Sequence, residues 1–554
     1  LTRLVPRMPL KNSRPTGLGF GAINFIRCCR WCGIRPRRHT SILHRMETTL
    51  VKILNLSNPF SKEQVSEGIL SWPTSLDTCL SRQALFHELK ERVSGLSSAK
   101  AEGTAEVLAD VESLATSLDP FLRESTAVEQ EGYAQVIFQG TPWSSINYIP
   151  FALVILSLYK SYIIPALSLM LPLLSWILPY ILLRVFYNIP IEFTDYTSLL
   201  WRMWNGQRMP TTPEELMNPP PDPPVDAATQ LKQLVQNGWT LVTLAQTLWQ
   251  PIQQAIHFTK LDGDCLAHGS MVIRLKQNAE FLLTHWSPWL PRWLKDWVPL
   301  CPSDVRQAFA FLVDTPFWLP HIFRALGRFD VMYTLAARPD TVPVSFVNST
   351  QPLLLLKDFG DPSIDSEKRV LSSLSLGGKA PHHSIVTGPN RGGKSSLMRG
   401  ALVNIILAHS FGAVIAGKGQ MSYISWIADG MRLDDSPGSL SMFEREVSFA
   451  SAVLKKRDGA GFVVYDELFH STNPPDAIRT SELFCSSFWQ KKNCISIIST
   501  HVYSLAKSAP EDKVKRLCVE AHVKEGKLDL TYKLKQGICE LSSVDSLLQQ
   551  YQLL

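Results

Sequence analysis

Residues 384 to 399 read SIVTGPNRGGKSSLMR, and within them Gly388, Gly393, Lys394 and Ser395 complete the pattern G-x-x-x-x-G-K-[ST]. Its glycines let backbone N–H groups approach phosphates, and Lys394 adds a point charge beside the terminal phosphates. Pro389, Asn390, Arg391, Gly392 and Ser396 complete this nucleotide-binding loop. Two further clusters follow it. Gly461 to Glu467, GFVVYDE, is an apolar run ending in two acids; Asp466 is placed to hold Mg²⁺ with Ser395, and Glu467 to polarise an attacking water. Ile495 to His501 is a second apolar run, and His501 at its end is placed as a γ-phosphate sensor.

The chemistry is hydrolysis of ATP with Mg²⁺, and it dictates what must surround it. The run Ser384 to Thr387 reads as a strand and Leu397 to His409 as a helix, the context a phosphate loop needs. In a parallel α/β sheet, ligands sit beyond the carboxyl ends of the strands, so the three polar termini are expected to share one crevice.

Taken together, these motifs resemble those of the MutS family of mismatch-repair ATPases. TGPNRGGKSS is similar to the family's phosphate loop, including Asn390, and Asp434-Asp435 followed by the serine-led SMFERE from Ser441 matches its signature spacing. Thr472 and Asp476 match its inter-subunit loop, Thr500-His501 its Ala-Thr-His, and Tyr532 to Gly537 its closing segment. Phe329 to Ala336, followed by Arg338-Pro339, resembles the end of its helical lever. The resemblance implies a P-loop domain over 341–554, a homo- or heterodimer in which Ser441 reaches the partner's nucleotide, and DNA as the substrate gripped.

Two departures stand out. Phe469-His470-Ser471 replaces the family's Gly-Arg-Gly after Glu467, and Pro474-Pro475 is expected to stiffen the following loop. Ser542 to Leu554 is read as one helix, too short for a full dimerisation appendix. Phe86-His87-Glu88 formally matches the family's mismatch wedge, but its amphipathic surroundings assign Phe86 to a helix core.

The second large feature is apolar. Between Ile146 and Val185 the only charges are Lys160 and Arg184, and Ser161 to Leu183 is long enough to span a bilayer; a second, short span over Asn147 to Tyr159 stays open. Pro165, Pro172 and Pro179 recur every seven residues, which a membrane helix tolerates better than a solvated one. Arg184, Arg202 and Arg208 after the segment place the ATPase on the nucleotide-containing side, cytosolic or matrix.

The net charge of +6 is uneven. Residues 1–46 hold nine Arg and one Lys without an acid, and are read either as a mitochondrial transit peptide or as a non-native extension. The rest is slightly acidic and shows no basic stripe of the kind DNA selects, and a nuclear site stays open beside the mitochondrial one. Ten scattered cysteines fit a reducing compartment, and the lone Cys29-x-x-Cys32 makes no zinc framework.

The expected organisation is a helical region over 47–140, membrane segments within 146–185, a stiff linker over 210–225, a helical lever over 226–340, and the ATPase domain. Trp286, Trp289, Trp293 and Trp297 recur at one-turn intervals and are read as core. The fold class is an α/β P-loop NTPase domain preceded by mainly α-helical regions and a membrane-spanning segment. Two rivals are a membrane-anchored transporter- or tether-type ATPase, whose LSGGQ-like signature is absent, and a nucleotide-gated scaffold without turnover.

Overall fold

The structure, a computed structural model, describes residues 40–123, 126–140, 142–204, 227–431, 441–524, 527–541 and 548. Cys29, Cys32, Arg208, the Pro-rich linker, Asp434, Asp435 and the expected helix over 542–554, apart from Leu548, therefore lie outside the described residues, as does nearly all of the basic N-terminal segment. The chain divides into two compact units, residues 1–103 with 327–554, and residues 104–326.

The first unit holds all the described strands: β1 (Thr341–Pro343), β2 (Ser345–Val347), β3 (Leu353–Phe359), β4 (Ser372–Gly377), β5 (His383–Thr387), β6 (Ala413–Ser422), β7 (Trp426–Gly430), β8 (Gly461–Tyr465), β9 (Cys494–Ser499), β10 (Val514–Lys524) and β11 (Lys527–Gln536). A mixed sheet runs β1-β6-β3-β4 with β2 alongside β6, and a six-stranded sheet runs β11-β10-β5-β9-β8-β7. In the latter β10, β5, β9, β8 and β7 are parallel, and β11 closes the edge as an antiparallel hairpin. Strands β5, β8 and β9 are buried throughout, which is why they read as apolar runs rather than alternating ones. Gly461 opens β8 because a Cβ there would lie 2.1 Å from the Trp426 ring.

The helix Lys394–Phe411 is buried over nearly its whole surface. Its polar groups are matched: Asn404 donates to the Gly400 carbonyl at 2.9 Å and accepts from the Ile415 amide at 2.7 Å. Three N-terminal helices, Thr40–Ile53, Pro59–Leu70 and Leu76–Ser94, belong to this unit. Trp72 stacks on the buried His409 with centroids 4.7 Å apart, Arg82 donates to the His409 carbonyl, and Lys90 donates to the carbonyls of Ala336 and Arg338. The expected separate region over 47–140 is thus split. Its first half folds onto the strand-bearing unit through contacts remote in sequence, and the helix Thr40–Ile53 begins upstream of the expected boundary, with Met46 buried. Phe86 is fully buried, a core residue as its spacing indicated.

The second unit is helical. The 60-residue helix Ala227–Trp286 dominates it, so the expected lever over 226–340 is one long helix followed by Arg292–Leu300, Val305–Asp314 and Trp318–Ala337, the last of which crosses the unit boundary. Arg306 forms a two-pronged ion pair with Asp262, and Arg274 pairs with Asp110. Trp286 and Trp297 are buried, and Trp286 donates to Thr104 Oγ1 at 3.3 Å, while Trp289 and Trp293 are half-buried, so the tryptophan stripe is core at its two ends only.

The apolar segment is helical, but its candidate span is displaced upstream of the expected one. Ala152–Pro172, 21 residues with mean hydropathy 1.7, is long and apolar enough to cross a membrane, and the shorter Leu174–Phe186 follows. The short span left open over Asn147 to Tyr159 overlaps it from Ala152 onward. A π-turn at Tyr159–Ile163 lies just before Pro165, the irregularity with which helices absorb a proline, and the helix continues through Pro172 and Pro179.

Candidate nucleotide site

Strand β5 ends at Thr387, and the chain turns through Gly388 (φ 143°) and Gly393 (φ 100°) before the helix begins at Lys394. Both glycines hold backbone conformations that side chains rarely adopt, and Arg391 between them also has positive φ. Gly393 caps the helix without a side-chain hydrogen bond, so the first-turn N–H groups face the loop's concavity, the arrangement that binds phosphate. Lys394 is buried, and its Nζ donates to the carbonyls of Gly388 at 2.8 Å and Pro389 at 3.1 Å. Burial lowers its pKa, while Glu467 and Asp466 oppose that shift.

The ends of β8 and β9 meet this loop. Ser395 Oγ donates to Asp466 Oδ2, and Ser499 Oγ donates to Asp466 Oδ1 at 2.6 Å while accepting from the Glu467 amide at 2.8 Å. Ser499, not singled out from the sequence, thereby fixes both acids. Glu467 takes positive φ (53°), which turns its side chain away from that of Asp466 and into the crevice. Its carboxylate lies 3.6 Å from His501 Nε2, and both side chains remain about two-fifths exposed, at 42% and 40%. The neighbouring His501 holds the Glu467 carboxyl below the usual range, with desolvation opposing. One carboxylate is therefore committed to the loop serine and the other left toward solvent, as a metal ligand and a water-orienting base require.

A cavity of about 510 Å³ extends from the loop. Asn390 to Leu397 and Glu467 form its floor, Phe359 to Asp361 and Lys368 to Ser372 one wall, and Val519, Tyr532 and Leu534 of the β10–β11 hairpin the other. Tyr532 also holds positive φ and stands 3.3 Å from where a Cβ on Gly393 would lie. These walls were missed in the sequence. Only the closing segment around Tyr532 had signalled them.

Residues 384–545 match the sequence profile of MutS domain V. The chain is also 27% identical over 168 residues to the DNA mismatch repair protein MutS of Psychrobacter cryohalolentis, a stretch covering 28% of this chain and 16% of that protein. The C-terminal region is similar to domain V of the MutS family. The chain spans about a sixth of the length of that relative.

Within the MutS-type domain the signature residues take local tasks. Ser441 caps the helix Met442–Lys455 in a capping box: its Oγ accepts from the Glu444 amide at 3.2 Å, and Glu444 accepts from the Ser441 amide at 2.8 Å. The serine thus has a role in its own subunit, yet an accepting hydroxyl still has a proton to donate. Asn473 caps the helix Pro474–Phe488, and Asp476 sits in its first turn, its carboxylate accepting from Asn473 at 2.8 Å. The expected stiff loop at Pro474-Pro475 is instead a helix start, where a missing N–H costs nothing. Thr472 precedes that cap, partly buried. Glu446, buried on the signature helix, lies 2.9 Å from His470 Nδ1 and accepts from Ser471 Oγ. Phe469 is itself core, so the residues replacing Gly-Arg-Gly tie the Glu467 loop to the helix that Ser441 begins.

Proposed function

We propose that this chain binds ATP and hydrolyses it to ADP and phosphate by in-line attack of water, in a dimer whose cycle drives a clamp-like change on DNA. The observation that carries the reading is the shared network of Ser395, Asp466, Ser499 and Glu467 at the carboxyl ends of three parallel strands beside the phosphate loop. Ser395 and Asp466 offer hard oxygen donors already brought together, which suits Mg²⁺. Bound there, the ion would neutralise charge on the terminal phosphates. Loop amides and Lys394 cradle those phosphates, Glu467 orients the water, His501 steadies Glu467 from the side where the γ-phosphate would lie, and Val519, Tyr532 and Leu534 offer apolar surface to a base.

The MutS relative is a DNA mismatch repair protein, which supports DNA as the substrate. Ser441 would donate across that dimer, with Thr472 and Asp476 in the same interface. The membrane-anchored, transporter-like alternative has less support, because the domain match is to MutS. Placement of the domain on the cytosolic or matrix side of a membrane follows only from the flanking Arg184 and Arg202.

Mixing full-length Ser441→Ala with full-length Lys394→Ala tests the dimer. In the mixed dimer, one site combines an intact loop with an intact serine from the other chain. ATPase activity restored on mixing, together with salt-dependent retention of duplex DNA, is the expected result. Hetero-dimers that form without restored activity would remove the trans role, and absence of DNA retention at low salt would remove DNA as substrate.

A further inference from the structure

The helix Ala227–Trp286 exchanges its polar and apolar sides along its length. From Phe258 onward one side carries Phe258, Val272, Leu275, Leu282 and Trp286, all buried. At 100° per residue, the same side upstream carries Gln236, Thr240, Thr243, Thr247, Gln250 and Gln254. Thr247, Gln250 and Gln254 line a cleft of about 530 Å³ together with Ser168 and Ser175 of the helix Ile164–Ile181. The opposite side upstream carries Leu234, Val235, Leu241, Val242, Trp249 and Ile256, which are between 50% and 71% exposed.

Polar groups thus line an open cleft between the two helices while apolar groups point outward. In water that arrangement leaves the apolar side uncovered. In lipid it is the stable one, since hydrocarbon covers the apolar side and the polar side is satisfied within the protein. The hydroxyls conform: Thr240, Thr243 and Thr247 donate to carbonyls of Gln236, Thr240 and Leu244 in their own helix, and Ser175 donates to Pro172. Residues 233 to 259 contain no Asp, Glu, Lys or Arg and are bracketed by Lys232 and Lys260. That is about 40 Å of helix, enough to cross a hydrocarbon core of about 30 Å.

We propose that residues 233–259 enter a lipid bilayer beside Ala152–Phe186 as a two-helix unit, with acyl chains as the occupant of the exposed face. A second copy is the competing occupant, because Val235, Val242, Trp249 and Ile256 recur every seven residues. It would cover that one stripe and leave the companion helix bare. Of the hydropathic window in Ala152–Pro172 only 11% is buried, and Leu167, Met170, Leu174, Ile177 and Leu178 are exposed around the downstream turns. Acyl chains cover both helices at once. The inference does not rest on the nucleotide site.

The test places a genetically encoded benzoylphenylalanine at Trp249, at Ile256 or at Gln254 of the full chain, reconstituted in phosphatidylcholine vesicles with tritiated acyl chains. On irradiation, positions 249 and 256 are expected to take up several-fold more label than position 254. A chain-to-chain adduct in place of lipid label at 249 and 256, or equal label at all three positions, overturns the proposal. If the substituted chains fail to fold, the unmodified chain decides: it is expected to float with the vesicles after alkaline carbonate and to lose tryptophan fluorescence to acyl-brominated lipid. Release by carbonate, or fluorescence unchanged by bromine, overturns it equally.

Discussion

Two halves of one helix obey opposite rules. Downstream of Phe258 the helix Ala227–Trp286 buries its apolar stripe, ending at Trp286, which is 1% exposed; upstream, Trp249 on the other side is 57% exposed. Both halves are α-helical, with Pro251 the one proline, in the upstream half. The difference lies only in which side of the helix the apolar residues occupy, which teaches that hydrophobic periodicity locates a stripe without saying what covers it. In the first unit the polarity is that of a protein in water: apolar strands inside, with Asp466, Glu467 and His501 delivered to their ends.

The sharpest way to break this comparison is to truncate one tryptophan from each half. Trp286→Ala is expected to destabilise the helical unit by about 3–5 kcal/mol, because a buried ring leaves a cavity. Trp249→Ala is expected to cost under about 0.5 kcal/mol by the same measure, as surface substitutions do. Denaturant unfolding followed by circular dichroism checks both, and equal losses would mean that Trp249 is covered by protein.

A second test sets the strand-bearing unit against pH. His409 and His383 are held neutral by burial, each with its pKa pushed down to about 4. His409 donates from Nδ1 to the Ile405 carbonyl and accepts the Ile424 amide at Nε2, so protonation would set two N–H groups against each other. The unfolded chain binds protons near the ordinary histidine value of about 6.5 and the folded chain does not. Stability is therefore full above that value and falls as pH drops toward 4, by on the order of 3 kcal/mol for each histidine. Thermal melts across that range check the slope, and His409→Gln is expected to flatten it.

The smallest expected effect separates the two tasks of Ser441. Ser441→Ala removes a cap worth about 1 kcal/mol, whereas Ser441→Asp keeps one. If the serine acts only as a cap, the aspartate variant retains ATPase activity; the trans role requires both variants to lose it while Ser441→Asp melts like the native chain.

The gathering of the candidate residues was legible because a phosphate loop and its acids demand particular residue types at particular spacings: the structure brings Ser395 to Asp466, and the parallel sheet brings His501 beside Glu467. The cavity walls were not legible, since Val370 and Val519 contribute shape alone and come from segments far apart in sequence. Nor was the attachment of the first helices to the strand-bearing unit, which rests on pairs such as Trp72 with His409 and Gln83 with Phe346 that no local pattern announces. Pro474-Pro475 was misread because a proline pair signals a stiff loop and a helix start equally, and only the Asn473 cap decides between them.

The account stands most directly on the division of labour between the two acids after β8. In the full chain, Glu467→Gln is expected to bind ATP as tightly as the native protein and to lose turnover by about 10²–10³-fold, the scale set by removing one general base, with bound nucleotide recovered as ATP rather than ADP. Equal rates of phosphate release from the native chain and Glu467→Gln would contradict the assignment of this site.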